Sequence, residues 1–250
     1  MIRSVLLGLV CLLLGCNADD DNVGDGTERV DEIVHGVRDR GRHPAVIAVR
    51  RRDGVLCTGA LVAPSAVLTA RHCVSDTDEA IDCGARRNVY GEYPASAFDV
   101  TASEDALTGL TDARVTRVIV PAGQNLCGAD VAVLVLDRAL RSITPLAIET
   151  RAPRVGDEVT AVGYGRRGDA ARSGAGVRYM RSDMRVFAVA RDELATSEGT
   201  CSGDSGGPLL DGHTGRVLAV LSRGAERCVG SGAVWTRASV ARALIDAATR

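Results

Sequence analysis

Lysine is absent from the 250-residue chain, so all 30 basic residues are arginine, scattered along the whole length rather than gathered into a patch. Such scatter is a solvated surface shaped by codon usage. Against 32 acidic residues it leaves a formal net charge of −2, which excludes a nucleic-acid binder. Aromatic residues are scarce as well, at 3%. Valine, alanine and leucine must therefore fill the interior, and their short runs, broken by glycine and proline, favour β-strands over long helices. Beyond the N-terminus no apolar run is long enough to span a bilayer. Neither a Cys-x-x-Cys pair nor a histidine cluster occurs, so no metal and no cofactor are expected. The apolar content of 46% suffices for one large core or two modest ones.

What is present begins with a targeting segment over residues 1–16. Arg3 carries the positive charge, and Val5 to Leu14 form an apolar run of signal-peptide length. The segment ends in Leu13-Leu14-Gly15-Cys16, which resembles a bacterial lipoprotein cleavage box in which Cys16 becomes the lipidated first residue. Leu14 is larger than the residue usual there. Ordinary secretory cleavage after Ala18 is the competing reading. Lipidation implies a bacterial membrane lipoprotein facing the periplasm or exterior, whereas cleavage after Ala18 implies a secreted soluble protein. Both expose the chain to an oxidising compartment. Residues 17–32, acidic and without apolar periodicity, are expected to be a disordered tether. Of eight cysteines, Cys11 leaves with the signal and Cys16 carries lipid, so six remain for three disulfides.

The chemistry is concentrated in three local words. Gly203-Asp204-Ser205-Gly206-Gly207-Pro208 couples a hydroxyl to a flexible backbone, Leu68-Thr69-Ala70-Arg71-His72-Cys73 ends an apolar run on a histidine, and Asp130 opens the strand-like Val131 to Leu136. A serine hydroxyl is a weak nucleophile until a base takes its proton and a third group orients that base. His72 is a candidate base, Asp130 a candidate orienting group and Ser205 a candidate nucleophile. Singly, each is better read as a satisfied core histidine, a strand cap and a turn. Together, in the order His-Asp-Ser, they are far more specific. On these residues the chain resembles the trypsin-like serine endopeptidases, over residues 33–250.

That resemblance implies an all-β fold of two packed antiparallel β-barrels, chymotrypsin-like, with a C-terminal α-helix. The first barrel is expected over 33–140, the second over 150–238 and the helix over 239–250, N-capped by Ser239 with Val240, Leu244 and Ile245 on one face. Strands are expected at 46–49, 55–62, 66–70, 115–120, 131–136, 158–165, 184–189, 208–210, 217–221 and 233–236. The stretch between 76 and 112 carries little signal. Gly163-Tyr164-Gly165 is similar to the family's Gly-Trp-Gly. Cys57 with Cys73 and Cys201 with Cys228 match family bridges, which leaves Cys83 for Cys127.

The family's oxyanion hole falls on the backbone N–H groups of Gly203 and Ser205. Ile33-Val34-His35-Gly36 resembles the family's mature N-terminus, so a separate protease is expected to cleave before Ile33 and free an ammonium for Asp204. The base of the specificity pocket falls on Gly199, where an aspartate would select basic residues. Thr200 adjoins it, Gly224 and Ala233 form walls, and Ser222 with Gly224 offers backbone groups to an extended peptide. An uncharged or apolar residue before the scissile bond is the resulting expectation, with Glu198 and Glu226 flanking the site and Arg223 in place of a common tryptophan. Installing aspartate at 199 should move preference toward basic residues. The acidic cluster Asp76, Asp78, Glu79 and Asp82 reads as a solvated loop rather than a calcium site, and His213 as an exposed hairpin residue. The partner is a protein or peptide substrate and the enzyme a monomer. A catalytically silent protease-like lipoprotein, binding through the old cleft, is the alternative from a different class.

Overall fold

The computed structural model of the chain describes residues 35–169, 174–197, 199–224 and 227–250. The first half contributes β1 (Val37–Arg38), β2 (Val46–Arg51), β3 (Leu56–Ala63), β4 (Ala66–Thr69), β5 (Ser75–Thr77), β6 (Val89–Glu92), β7 (Phe98–Thr101), β8 (Ala113–Ile119) and β9 (Ala132–Leu136). The second contributes β10 (Glu158–Gly163), β11 (Tyr179–Val189), β12 (Glu193–Thr196), β13 (Pro208–Asp211), β14 (Val217–Gly224) and β15 (Ala233–Arg237), followed by α1 (Arg242–Ala248). No helix among the described residues is long and apolar enough to cross a membrane.

Two closed barrels result. The first runs β2-β3-β4-β9-β8-β7 and closes through β7 on β2. The second runs β11-β10-β13-β14-β15-β12 and closes through β12 on β11, with β1 added beside β11. All of these pairings are antiparallel, and each barrel removes the exposed edges that so many short strands would otherwise present. Val46 to Val49 are four buried residues in a row because one face of β2 looks into its barrel and the other is covered by the second. Val162 and Tyr164 accordingly share the core of the first barrel, while Val159, Met184, Leu209 and Trp235 fill the second.

The ends of the chain cross over. The segment expected with the first barrel, 33–140, divides, because Val37 and Arg38 pair with Met180 and Tyr179 of the second. Conversely, α1 packs on the first barrel, where the Arg117 guanidinium donates to the Ala247 carbonyl at 3.0 Å. The helix expected from 239 begins later. Ala238–Ala241 form a 3₁₀ turn in which the Arg242 N–H bonds the Ser239 carbonyl, so Ser239 lies inside that turn and its hydroxyl caps nothing. Val240, Leu244 and Ile245 do pack together against the core.

A buried ion network clamps the first strand. Arg178, 2% exposed, donates from Nε to Asp39 Oδ2 at 2.9 Å and from Nη1 to the Tyr164 hydroxyl at 2.8 Å. His43 Nδ1 meets Asp39 Oδ1 at 2.5 Å. Burial raises the Asp39 pKa, but the His43 and Arg178 hydrogen bonds outweigh it and hold the carboxyl at about 2.

Candidate active site

His72 sits in a single 3₁₀ turn, Arg71–Cys73, immediately after β4. Two bonds from the Arg71 guanidinium pin this turn: Nη1 to the Gly123 carbonyl at 2.9 Å and Nη2 to Glu92 Oε1 at 2.7 Å. The Cys57–Cys73 disulfide, 2.06 Å between sulfurs, ties it to β3. Both sulfurs lie close to His72, yet their bond to each other leaves neither as a thiolate ligand for a metal.

Asp130 stands at the mouth of β9 with none of its surface exposed. The loop before it is stitched to the 78–92 loop by the Cys83–Cys127 disulfide and by Asn88, whose Nδ2 donates to the Asp82 carbonyl at 2.9 Å while its Oδ1 accepts from the Leu126 N–H at 3.2 Å. Asp130 faces His72 twice: Oδ2 is 2.8 Å from His72 Nδ1 and Oδ1 accepts the His72 backbone N–H at 3.0 Å. The Ser222 hydroxyl donates to Oδ2 at 2.7 Å. Burial favours neutral forms at both groups, but their mutual charge and hydrogen bonding win, so His72 lies above 6.5 and Asp130 below 3.8. With Nδ1–H committed to the carboxylate, Nε2 of the neutral ring is left to accept a proton.

Ser205 occupies the loop before β13, against the first barrel. Gly206 has φ +80°, and a Cβ there would overlap Thr69 Oγ1 and the Thr58 carbonyl, so this position needs glycine. Thr58 bridges the barrels: its N–H donates to the Ser205 carbonyl at 2.8 Å, and its hydroxyl donates to the Gly203 carbonyl at 2.8 Å while accepting the Tyr164 N–H at 3.1 Å. Among the described residues the N–H groups of Gly203 and Ser205 donate to no protein acceptor. Two amides in one tight loop are therefore available to an incoming oxyanion. No hydrogen bond joins the Ser205 hydroxyl to His72, a looseness common in unliganded sites.

His72 and Ser205 line a cleft of about 950 Å³ together with Thr200, Ser222 and Gly224. Gly199 and Ala233, expected as base and wall of the pocket, are buried outside its lining. Gly199 has φ +150°, which side chains rarely adopt, and a Cβ there would stand 2.8 Å from Sδ of the flexible Met184 side chain. The Cys201–Cys228 disulfide, Leu221 and Arg223 complete that side. Arg223 donates from both terminal nitrogens to Glu193, at 2.6 and 2.9 Å, which neutralises it. Asp204, buried beside the nucleophile, accepts the Gly165 N–H at 2.7 Å and the Cys201 N–H at 2.9 Å. Burial pushes its carboxyl up to about 7, and the two amides only partly offset this. Ile33, Cys16, Glu198 and Glu226 lie outside the described residues.

Asp78 and Glu79 also line the cleft. Asp78 accepts the Tyr90 hydroxyl at 2.8 Å and Asp82 caps the Gly84 N–H at 2.8 Å, so these carboxylates are engaged within their own loop. His213 is exposed between turn residues, as its neighbours suggest.

Two antiparallel barrels of this kind define the chymotrypsin-like fold. Mouse neuropsin, a serine protease of the brain's limbic system, superposes with a TM-score of 0.67 over 86% of this chain and 99% of its own, at 17% identity. Human heparin binding protein gives 0.66 over 85% and 94%, at 20% identity. The particular family follows from sequence: the Trypsin family model matches residues 33–245, and the chain belongs to that family as a serine endopeptidase. Serine protease SP24D of Anopheles gambiae is 31% identical over 195 residues, 71% of this chain and 67% of the relative. The cercarial protease of Schistosoma mansoni is 28% identical over 203 residues, covering 73% and 77%.

Proposed function

We propose that the protein hydrolyses peptide bonds through Ser205, His72 and Asp130. The doubly bonded contact between Asp130 and His72 carries this reading. His72 Nε2 takes the Ser205 proton as Oγ attacks the carbonyl carbon, and Asp130 stabilises the imidazolium that forms. The Gly203 and Ser205 amides receive the oxyanion, each contributing about 3 to 4 kcal/mol. Returning the proton to the leaving amine yields the acyl-enzyme, which water then resolves by the same steps.

The lining at the acyl side, Thr200, Leu221 and the Cys201–Cys228 disulfide, is uncharged, and Arg223 is neutralised by Glu193. A substrate with an uncharged or apolar residue before the scissile bond fits this surface best. Activation by cleavage before Ile33 explains why a carboxylate is buried at Asp204 without a cation among the described residues: a new ammonium would supply one. Lipidation at Cys16 would hold the uncut protein at a bacterial membrane through the 17–32 tether. Cleavage before Ile33 would then release the enzyme.

A fluorophosphonate probe tests the mechanism. It should label Ser205 in chain cut between Glu32 and Ile33 and fail on Ser205→Ala. Near-normal peptidase activity in Ser205→Ala would sink the assignment.

A further inference from the structure

Three consecutive residues at the His72 turn are each tied to a distant element. Cys73 is bonded to Cys57 of β3, the His72 N–H donates to Asp130, and the Arg71 side chain reaches Gly123 and Glu92. The turn holds little of its own. Two backbone bonds close it, Cys73 N–H to the Ala70 carbonyl at 3.3 Å and Val74 N–H to the Arg71 carbonyl at 3.0 Å, and no side chain caps its start. Its orientation therefore depends on the outside anchors.

Arg71 is the costly one among them. It is 4% exposed, and its Nε is buried without a hydrogen-bond partner. A guanidinium withdrawn from water with a donor unanswered loses stability, so packing alone does not account for an arginine here. Its acceptors do not require it either: Gly123 is exposed and the Glu92 side chain is 38% exposed, so water can serve both. What the fork does is join two segments. Gly123 opens the run 123–129 that leads into Asp130, and the neighbouring Gln124 carbonyl accepts the Asn88 and Val89 N–H groups, at 2.8 and 3.1 Å, where β6 begins. Glu92 ends β6 opposite Ser75 of β5, the strand that follows the His72 turn. One planar group thus locks the histidine turn to the approach of the aspartate, which a lysine ammonium, a point charge, does not reproduce. Arg71 itself lies outside the cleft lining. We propose that Arg71 is a positioning residue that sets His72 against Asp130 and so governs the chemical step without touching the substrate. A misplacement of about 1 Å at such a site can cost about a hundredfold in rate.

This inference rests on the peptidase reading, and a spectroscopic readout separates the two. Arg71→Met keeps the length of the side chain and removes the unanswered donor. In chain cut between Glu32 and Ile33, its kcat on an internally quenched peptide should fall about tenfold or more, while KM stays within about twofold and the melting temperature changes little. Fluorophosphonate labelling should slow in parallel, and Arg71→Lys should fall between parent and methionine variant. The His72 Nδ1–H proton, followed by NMR, reports its bond to Asp130 without any turnover, and its downfield resonance should move upfield or broaden in Arg71→Met. Should that variant not fold, Glu92→Ala, a change at a side chain more than a third exposed, should show a smaller loss of the same kind. Unchanged kcat in the folded variant, a loss carried by KM, or an unaltered Nδ1–H resonance overturns the positioning role and keeps the peptidase. A resonance that moves in Arg71→Met, in a protein whose parent neither cleaves peptide nor takes the probe, refutes the peptidase reading and keeps the positioning role.

Discussion

Asp130 accepts from the His72 backbone, faces the His72 ring and accepts from the Ser222 hydroxyl, so both of its oxygens are committed inside a site with no exposure. Replacing it by asparagine keeps the shape but presents an N–H to His72 Nδ1, which favours the wrong tautomer. Turnover should fall by about 10⁴, by analogy with the chymotrypsin-type example from which that figure is taken, while the melting temperature changes far less. Steady-state kinetics alongside thermal melts separate the two. His72 itself is held above 6.5, chiefly because the Asp130 charge outweighs the cost of burial. As a base it works only when neutral, so kcat/KM should rise with pH through a midpoint above 6.5. A profile already flat below that value would contradict the coupling.

Among the elements, the loop between β12 and β13 shows how backbone geometry limits what side chains can do. Gly199 has φ +150° and faces Met184, so Gly199→Asp should destabilise the second barrel instead of creating a pocket for arginine. Trp235, 1% exposed with its Nε1 donating to Thr196 Oγ1 at 2.8 Å, is the chain's one tryptophan and reports that barrel. Its fluorescence should show a lowered denaturation midpoint, and efficient cleavage after arginine by this variant would refute the argument. The clamp on β1 behaves oppositely toward pH. Because the Asp39 carboxyl is lowered from 3.8 to about 2, its contribution is present above 3.8 and is lost as pH falls toward 2. That contribution is about 2 kcal/mol. Arg178→Ala leaves Asp39 buried without its cation and should cost about 3 to 5 kcal/mol. Urea titrations of the parent and variant at pH 7 and pH 2 should show the gap narrowing in acid.

For the whole molecule, the proposed cleavage before Ile33 would couple a new N-terminus to the oxyanion loop through Asp204. Its carboxyl is raised from 3.8 to about 7, so in the uncut chain its favourable contribution is complete below 3.8 and is lost as pH rises to 7. The loss is on the order of 4 kcal/mol. Under the proposed activation, an ammonium inserted after cleavage before Ile33 would remove that penalty by pairing with the ionised form. Cut protein should therefore melt at a higher temperature than uncut protein at pH 7, and the difference should shrink as pH is lowered toward 4. Asp204→Asn should erase the difference at every pH. Fractionation with N-terminal sequencing follows the same event in cells. An active species beginning at Ile33 yet still membrane-bound would rule out release by cleavage.

The sequence by itself determined the candidate residues, because a nucleophile loop, a histidine turn and an aspartate before a strand are local words whose residue types follow from the proposed reaction. The same motifs carried the resemblance that implies the two-barrel class, while the short valine-rich runs by themselves pointed only to strands over long helices. Strands β5 to β7 escaped it because they are short and partly polar: β7 is held by its partners β2 and β8, and the β5–β6 pair lies beside the Cys83–Cys127 link and Asn88, which bonds Leu126 38 positions away. The crossing of the chain ends, the Asp39–Arg178 pair 139 positions apart, and the seat of Thr58 between the barrels are long-range contacts without a local signature. The surroundings of Gly199 were hidden for a similar reason. Gly199 reads as an absence of charge in one dimension, and only the packed barrel brings Met184 against it. Backbone closure decided those neighbours, and neighbours, more than residue types, decide what a side chain can bind.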